Sequence, residues 1–363
     1  MSSGKILLLT PDFPPQEGGV ARYLSAVAEH YAKRIDVIAS HHKDAQGFDS
    51  KVDYLIYRKK LLFTYLWPKW LKSVILLWNN RHRYDAVLVS HVLPFGSASW
   101  LAKFFTKVPY IVFVHGMDIR LATQSKRKML LARRVLQGSQ LIVANSEALS
   151  KELQQMFGVK DVLVVYPCVQ EIHEDTNKQS NDALRLLTVS RLVERKGHVH
   201  VLNALAHLRR TGQLTSFRYS IVGDGPMMST LRSVVESLDL GDYVIFHGSV
   251  TDAQRCDLYR QSDVFIMPVS QDPVDKEGFG LVYIEAASYE VPSISTRVPG
   301  VDEAVIDGVT GILLENQNEQ GVAKAIQYLA QHPEVRMSLG KQAKQHANQF
   351  LCDQQIAQLD AYL

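Results

Sequence analysis

Two carboxylates stand eight residues apart on either side of a Gly-Phe-Gly turn, in the run E-G-F-G-L-V-Y-I-E from Glu277 to Glu285. An apolar run, Asp263 to Pro268, reads as a buried strand that enters a polar loop. The turn Gly278-Phe279-Gly280 follows, and an apolar helix begins near Leu281. This order leaves backbone N–H groups free beside Glu277. Glycine lets a ligand approach the backbone closely, and a helix start offers partial positive charge to phosphate oxygens. Glu285, one helical turn in, can share a face with the loop acid. Acceptors around a bed of donors suit a sugar nucleotide, with hydroxyls for the carboxylates and a diphosphate for the amides. A helix carrying a solvated acid at each end has the same spacing.

Four other places carry chemistry. In S-R-L-V-E-R-K-G, Arg191 and Lys196 flank a strand-to-helix loop, where an arginine fork and a lysine point charge can clamp a diphosphate. The pair Gly18-Gly19 separates an apolar run from a periodic one and makes a second candidate anion site, although loop glycines also serve plain turns. His115, followed by Gly116, Met117 and Asp118, ends another apolar run; a histidine there can donate to a sugar hydroxyl or a developing oxyanion, or simply satisfy a backbone group. His247-Gly248-Ser249-Val250 is a strand end whose backbone can read a nucleobase edge. Gly223-Asp224-Gly225-Pro226 is no dinucleotide fingerprint, since Met228 takes the place of the third glycine. No Asp-x-Asp occurs, and the histidines lack ligand spacing, so no donor-bound metal and no cofactor are expected.

The elements that must position these groups follow from periodicity. Short apolar runs at Lys5–Thr10, Ile35–Ala39, Ala86–Ser90, Tyr110–His115, Leu141–Ala144 and Val162–Tyr166 alternate with helical patterns, and the pattern restarts at Leu184–Ser190. Strand, helix, strand with short loops means parallel sheets covered on both faces, with ligands at the C-terminal ends of strands. The segment 171–182 has almost no apolar content and reads as a linker within 169–182. Residues 1–168 and 183–347 read as two α/β domains of this Rossmann-like kind, and the Gln- and Ala-rich helical tail, Gly321 to Leu363, is long enough for its end, from about 348 to 363, to cross back onto the first.

A chain of 363 residues, 46% hydrophobic and 21% charged, is an ordinary globular protein of about two domains. The net charge of +3 hides an asymmetry. Residues 1–168 hold 23 Lys+Arg against 12 Asp+Glu, and the remainder 17 against 25. The basic excess is densest over residues 57–83, where Trp67, Trp70 and Trp78 interleave with lysines and arginines. Amphipathic rings among lysines suit an anionic membrane surface; a core helix with a basic wet face has the same composition. No nucleic-acid motif accompanies the charge. Three cysteines, odd in number and far apart, argue against a disulfide framework. With no basic leader and no long apolar run, the expected location is cytoplasmic, and peripheral on the inner face of the cytoplasmic membrane if residues 57–83 meet lipid.

Together, P-D-F-P-P-Q-E-G-G at 11–19, V-H-G-M-D from Val114, S-R-L-V-E-R-K-G from Ser190, V-G-D-G-P from Val222, H-G-S-V from His247 and E-G-F-G-L-V-Y-I-E from Glu277 resemble the family 4 retaining glycosyltransferases, bacterial mannosyl- or glucosyltransferases in particular. The resemblance spans the chain. It implies the GT-B fold, two Rossmann-like domains facing across a cleft. It implies a hexose moved from GDP-mannose or a UDP-hexose to a glycan, lipid-linked or small-molecule acceptor. Arg191 and Lys196 would hold the donor diphosphate, with the amides of Gly18 and Gly19 approaching it. Glu285 would take the ribose hydroxyls, and Glu277 with the backbone of Gly278, Phe279, Gly280 and Leu281 the transferred sugar. The backbone of His247, Gly248 and Val250 would meet the base, and His115 would lie beside the anomeric carbon. Asp12, Tyr23 and Asp118 are acceptor candidates. A nucleotide-sugar 2-epimerase of the same fold, or a non-catalytic sugar-nucleotide binder, would keep most of these residues.

Overall fold

The computed structural model describes residues 4–16, 18–173, 183–270 and 277–363. The chain divides into two units, one of Met1–Gln170, Val274–Gly278 and Cys352–Leu363, the other of Glu171–Pro273 and Phe279–Leu351. Residues 174–182 of the expected linker lie outside the described residues.

The first unit is built on seven parallel strands: β1 Ile6–Thr10, β2 Ile35–Ala39, β3 Leu55–Arg58, β4 Ala86–Ser90, β5 Tyr110–Val114, β6 Leu141–Ala144 and β7 Val162–Val164. Their order is β3-β2-β1-β4-β5-β6-β7. Alternate side chains enter two separate apolar layers. Leu7, Leu9, Val87, Val89, Val112 and Val114 face one layer, while Ile6, Leu8, Leu88, Ile111 and Phe113 face the other. A strand buried on both faces must be apolar at every position, which is why I-L-L-L-T and Y-I-V-F-V are continuous runs. The edge strand β3 is half-exposed and holds Tyr57 and Arg58, and its weak pattern hides it inside the basic stretch.

The second unit repeats the plan with six strands: β8 Leu184–Val189, β9 Phe217–Val222, β10 Val244–Gly248, β11 Val264–Ile266, β12 Ser293–Thr296 and β13 Gly311–Leu314. Their order is β10-β9-β8-β11-β12-β13, all parallel. Each sheet reverses its winding once, between β1 and β4 and between β8 and β11. At such a switch point the loops leaving adjacent strands run to opposite faces, which opens a crevice at the strand ends.

The tail returns to the first unit as the helix Cys352–Ala357. Ile356 and Leu359 are buried there, and Tyr31 donates to Asp360 Oδ1 at 2.8 Å. Cys352 is disulfide-bonded to Cys168, with Cα atoms 4.9 Å apart across 184 residues of sequence, and Cys256 is free. This corrects the expectation drawn from the cysteine count. Spacing along the chain carries no information about a pair that only the returning tail brings together.

Candidate functional site

In the first unit the polar groups gather at the ends of β1, β4, β5 and β6, around the switch point. Asp12 follows β1; its backbone N–H donates to Thr10 Oγ1 at 3.1 Å, and Thr10 in turn accepts from Ser90 Oγ at 2.8 Å. Its carboxylate accepts from Gln16 Nε2 at 3.0 Å and lies 3.3 Å from His91 Nε2. Gly18, with φ of 147°, leads into the helix Gly19–His30. Nothing lies within 4 Å of a Cβ placed on Gly18 or Gly19. Packing against the protein therefore does not demand these glycines, and the open space beside them leaves room for an incoming anion.

His115 leaves β5 with only 8% of its surface exposed. Its ring meets Tyr23 edge-on at 6.0 Å and His91 at 5.6 Å, and its Nε2 has no hydrogen-bond partner. Burial first, and the neighbouring His91 second, hold its pKa well below the usual histidine value, so the ring is neutral. A neutral buried imidazole with an idle nitrogen can bond a sugar hydroxyl without bringing charge into the site.

Two acceptor candidates have other employment. Asp118 is fully buried. Its Oδ1 accepts from the backbone N–H groups of His115 at 3.2 Å, Gly116 at 3.0 Å and Ile119 at 3.1 Å, and its Oδ2 from Val92 at 3.2 Å. It ties the loops leaving β4 and β5 together. Burial raises its pKa, and His91, with the N–H groups of Val92 and His115, opposes the rise. Tyr23 is 2% exposed and donates to Val165 O at 2.8 Å, so its role is to pack His115. Both side chains turn toward the protein because burial there leaves no polar atom to spare.

Sequence reasoning overlooks His91 and Asn145. His91 directly follows β4, as His115 follows β5, and that shared strand-end position was the available signal. Its φ of 73° is unusual for a non-glycine residue and its Nδ1 lies 2.9 Å from Ser90 Oγ. Asn145 follows β6, and its Oδ1 is buried without a partner. The helix that Asn145-Ser146-Glu147 opens is capped by Ser146, which accepts from Leu149 N. Asn145 instead meets Gly278: a Cβ there would stand 2.8 Å from Asn145 Nδ2 and 3.3 Å from His115 O. The half-buried Glu277 is the neighbour of that contact.

In the second unit the loops leaving β8, β9 and β11 are packed backbone against backbone. A Cβ on Gly223, at φ 119°, would stand 2.0 Å from Ser190 O; one on Gly225, 2.5 Å from Leu192 O; one on Gly197, at φ 74°, 2.2 Å from Pro268 O. V-G-D-G-P is thus a packing motif that fixes S-R-L-V-E-R-K-G, and Leu192 N donates to Asp224 O at 2.9 Å. Arg191 is exposed on this loop and Lys196 is buried to 7%. His198 Nε2 lies 3.2 Å from Ser190 Oγ, and burial first, with Lys196 second, brings its pKa down to about 4.

His247 ends β10 with Nε2 3.1 Å from Ser220 Oγ, and burial lowers its pKa. Gly248, at φ 65°, has open space beside it. Val250 precedes the helix Asp252–Gln261, which a capping box of Thr251 and Gln254 starts. After β11, Gly280 at φ 83° opens the helix Leu281–Ser288, whose Tyr283 hydroxyl donates to Met267 O at 2.8 Å. Phe279 is buried against Phe350, 5.2 Å between centroids, so only its backbone is available to a ligand. Glu285 accepts from the Tyr259 hydroxyl at 2.9 Å and lies 3.8 Å from Arg255 Nε. Arg255, a further residue missed in the sequence, steadies that carboxylate beside the loop leaving β10. Among the described residues no cluster of three or more His, Cys, Asp or Glu could hold a metal ion.

Residues 17–171 match the family described as Glycosyltransferase Family 4, and residues 169–346 match Glycosyl transferases group 1. The GDP-mannose-dependent alpha-(1-6)-phosphatidylinositol monomannoside mannosyltransferase of Mycolicibacterium smegmatis is 25% identical over 353 residues, 92% of this chain and 91% of that protein. The D-inositol 3-phosphate glycosyltransferase of Paenarthrobacter aurescens is 26% identical over 289 residues, 74% of this chain and 69% of that protein. Among solved structures, Anabaena HepE in complex with UDP and glucose superposes with a TM-score of 0.80 at 21% identity, covering 99% of this chain and 100% of that one. With two switch-point sheets and both matched families in tandem from residue 17 to 346, the chain belongs to the family 4 glycosyltransferases and has their GT-B fold.

Proposed function

We propose that this nucleotide-sugar-dependent glycosyltransferase moves a hexose from GDP-mannose or a UDP-hexose to a hydroxyl of a glycan, lipid-linked or small-molecule acceptor, with retention at the anomeric carbon and without a metal. The observation that carries the reading is the rigid loop leaving β8. Gly197, Gly223 and Gly225 lock its backbone, and it presents Arg191 and Lys196 at the switch point of the second sheet.

In this scheme Arg191 and Lys196 grip the diphosphate, and the amides of Gly18 and Gly19 add donors. The backbone of His247, Gly248 and Val250 meets the base. Glu285 takes the ribose hydroxyls. Glu277, with the backbone of Gly278 through Leu281, takes the sugar, and His115 bonds a hydroxyl near the anomeric carbon. The acceptor oxygen forms its bond to that carbon on the face from which the diphosphate departs. The carbon–oxygen bond to phosphate breaks, and the acceptor's proton passes to a phosphate oxygen of the leaving nucleoside diphosphate. Catalysis is then stabilisation of the leaving group and orientation. Asp12 remains the acceptor candidate with an accessible carboxylate. The enzyme works at the inner face of the cytoplasmic membrane, with residues 57–83 toward anionic lipid; no helix among the described residues is long and apolar enough to cross it.

A panel of UDP- and GDP-sugars, with thermal shift for binding and NMR for the product anomer, tests the reading. Expected are one preferred donor, an α-product from an α-donor, and turnover that survives EDTA. Inverted product, activity restored only by magnesium or manganese, or a new sugar nucleotide formed from donor alone overturns it.

A further inference from the structure

Between Asp53 and Glu147 the chain holds 15 Lys+Arg and two acids, Asp85 and Asp118. Asp118 is fully buried, so one carboxylate reaches the surface of this whole stretch. Two crossovers within it, the loop and helix from Leu61 to Asn79 and the helix Ser97–Thr106, carry large apolar side chains in water. Tyr65 is 97% exposed, Leu66 61% and Trp67 88%; Trp78 is 43%, Phe104 66% and Phe105 59%. The sequence left burial and a membrane as alternative fates for the tryptophans of residues 57–83; Trp67 and Trp78 are exposed, whereas Trp70 is half-buried.

The rings stand at the two ends of a stripe, with Ile75, 50% exposed, on the helix that runs between them. Trp78 and Phe105 meet edge-on at 6.2 Å, which joins the two helices across their outer faces. The Tyr65–Trp67 tip is held by a closed loop: Phe63 N donates to Lys69 O at 2.9 Å, and buried Ser73 donates to Leu61 O at 2.7 Å. The loop follows the exit of β3, the sheet end that carries Asp12 and His115. Trp78 and Phe105 stand at the opposite end, since each closes a helix that leads back to a strand start. Cations border the stripe throughout. Lys59, Lys60 and Lys69 are exposed beside the tip, and the Arg81 guanidinium lies 4.1 Å above the Trp78 ring.

We infer that this flank of the first unit docks on an anionic lipid bilayer. The helices Leu71–Asn79 and Ser97–Thr106 lie in the headgroup layer, with Trp67, Trp78, Phe104 and Phe105 entering the acyl boundary and the lysines facing lipid phosphates. Rings with a polar edge on an apolar body, bordered by long flexible cations, match that interface, and a water-exposed stripe of this kind is uncommon on a protein that stays in solution. The inference rests on the membrane-side reading of residues 57–83. It extends the contact to a second helix and names the inserting side chains, and it is independent of donor chemistry.

Flotation of the full chain with phosphatidylglycerol–phosphatidylethanolamine vesicles, against phosphatidylcholine vesicles, tests it. The wild type should float with the anionic vesicles and not with the neutral ones. Lys69→Glu with Lys72→Glu should lower partition by about a hundredfold, and Trp67→Ser with Phe105→Ser by at least about tenfold. All variants should bind UDP or GDP as the wild type does, whereas Lys196→Ala should float normally. A wild type that stays with solvent, equal flotation on neutral vesicles, or variants that float unchanged overturns the docking surface; a wild type that floats but binds neither UDP nor GDP counts instead against the glycosyl-transfer scheme.

Discussion

The substitution Asp118→Asn probes how the site around His115 is held. The carboxylate accepts four backbone N–H groups, three on Oδ1 at 3.0 to 3.2 Å and one on Oδ2 at 3.2 Å. A carboxamide has one oxygen. If it keeps His115, Gly116 and Ile119, its NH2 group faces the Val92 N–H, donor against donor. One unmet buried donor costs about 1–3 kcal/mol, and three bonds lose their charge assistance at up to about 1 kcal/mol each. Against this, a neutral side chain avoids the desolvation that raises the Asp118 pKa. The balance is a loss of about 3 kcal/mol. Because Val92 follows His91, and Asp118 follows His115 by three residues, the same change loosens both rings. Urea unfolding should show a lower midpoint, and turnover should fall while the Kd for UDP or GDP changes little. A midpoint and turnover equal to those of the wild type would refute the view that this carboxylate ties the two loops.

Lys196→Ala should remove a charge-assisted contact of about 1.5–3 kcal/mol, about tenfold to a hundredfold in kcat/KM; wild-type turnover would place the diphosphate elsewhere. Gly223→Ala brings a Cβ to 2.0 Å from Ser190 O at φ 119° and should cost about 3 kcal/mol in thermal unfolding together with nucleotide binding, unless the two loops are not in backbone contact. His198 has its pKa lowered to about 4 by burial, whereas the unfolded ring takes up a proton near the ordinary value of 6.5. Its contribution to stability is therefore complete above 6.5 and falls by about 1.4 kcal/mol per pH unit as pH drops toward 4. Between pH 7 and pH 5 the wild type should lose about 2 kcal/mol more in urea unfolding than His198→Gln; equal losses would mean that the ring is not buried neutral.

Much of the architecture was legible along the chain, since strands buried on both faces must be apolar at every position. Ile35–Ala39, Ala86–Ser90 and Leu141–Ala144 stand where continuous apolar runs put them, while the half-exposed β3 went unseen. Parallel order implied polar groups at strand exits, and Arg191, Lys196, His115 and His247 are there. Residue type and spacing say nothing, however, about where a polar atom finds its partner. Only tertiary packing turned Tyr23 and Asp118 toward the protein, set His91 against Asp12 and Asn145 against Gly278, and joined Cys168 to Cys352. The same holds for the tryptophans of residues 57–83, whose composition fits a core and a wet surface equally. Exposure depends on what the rest of the chain leaves uncovered, and the local sequence does not contain that quantity.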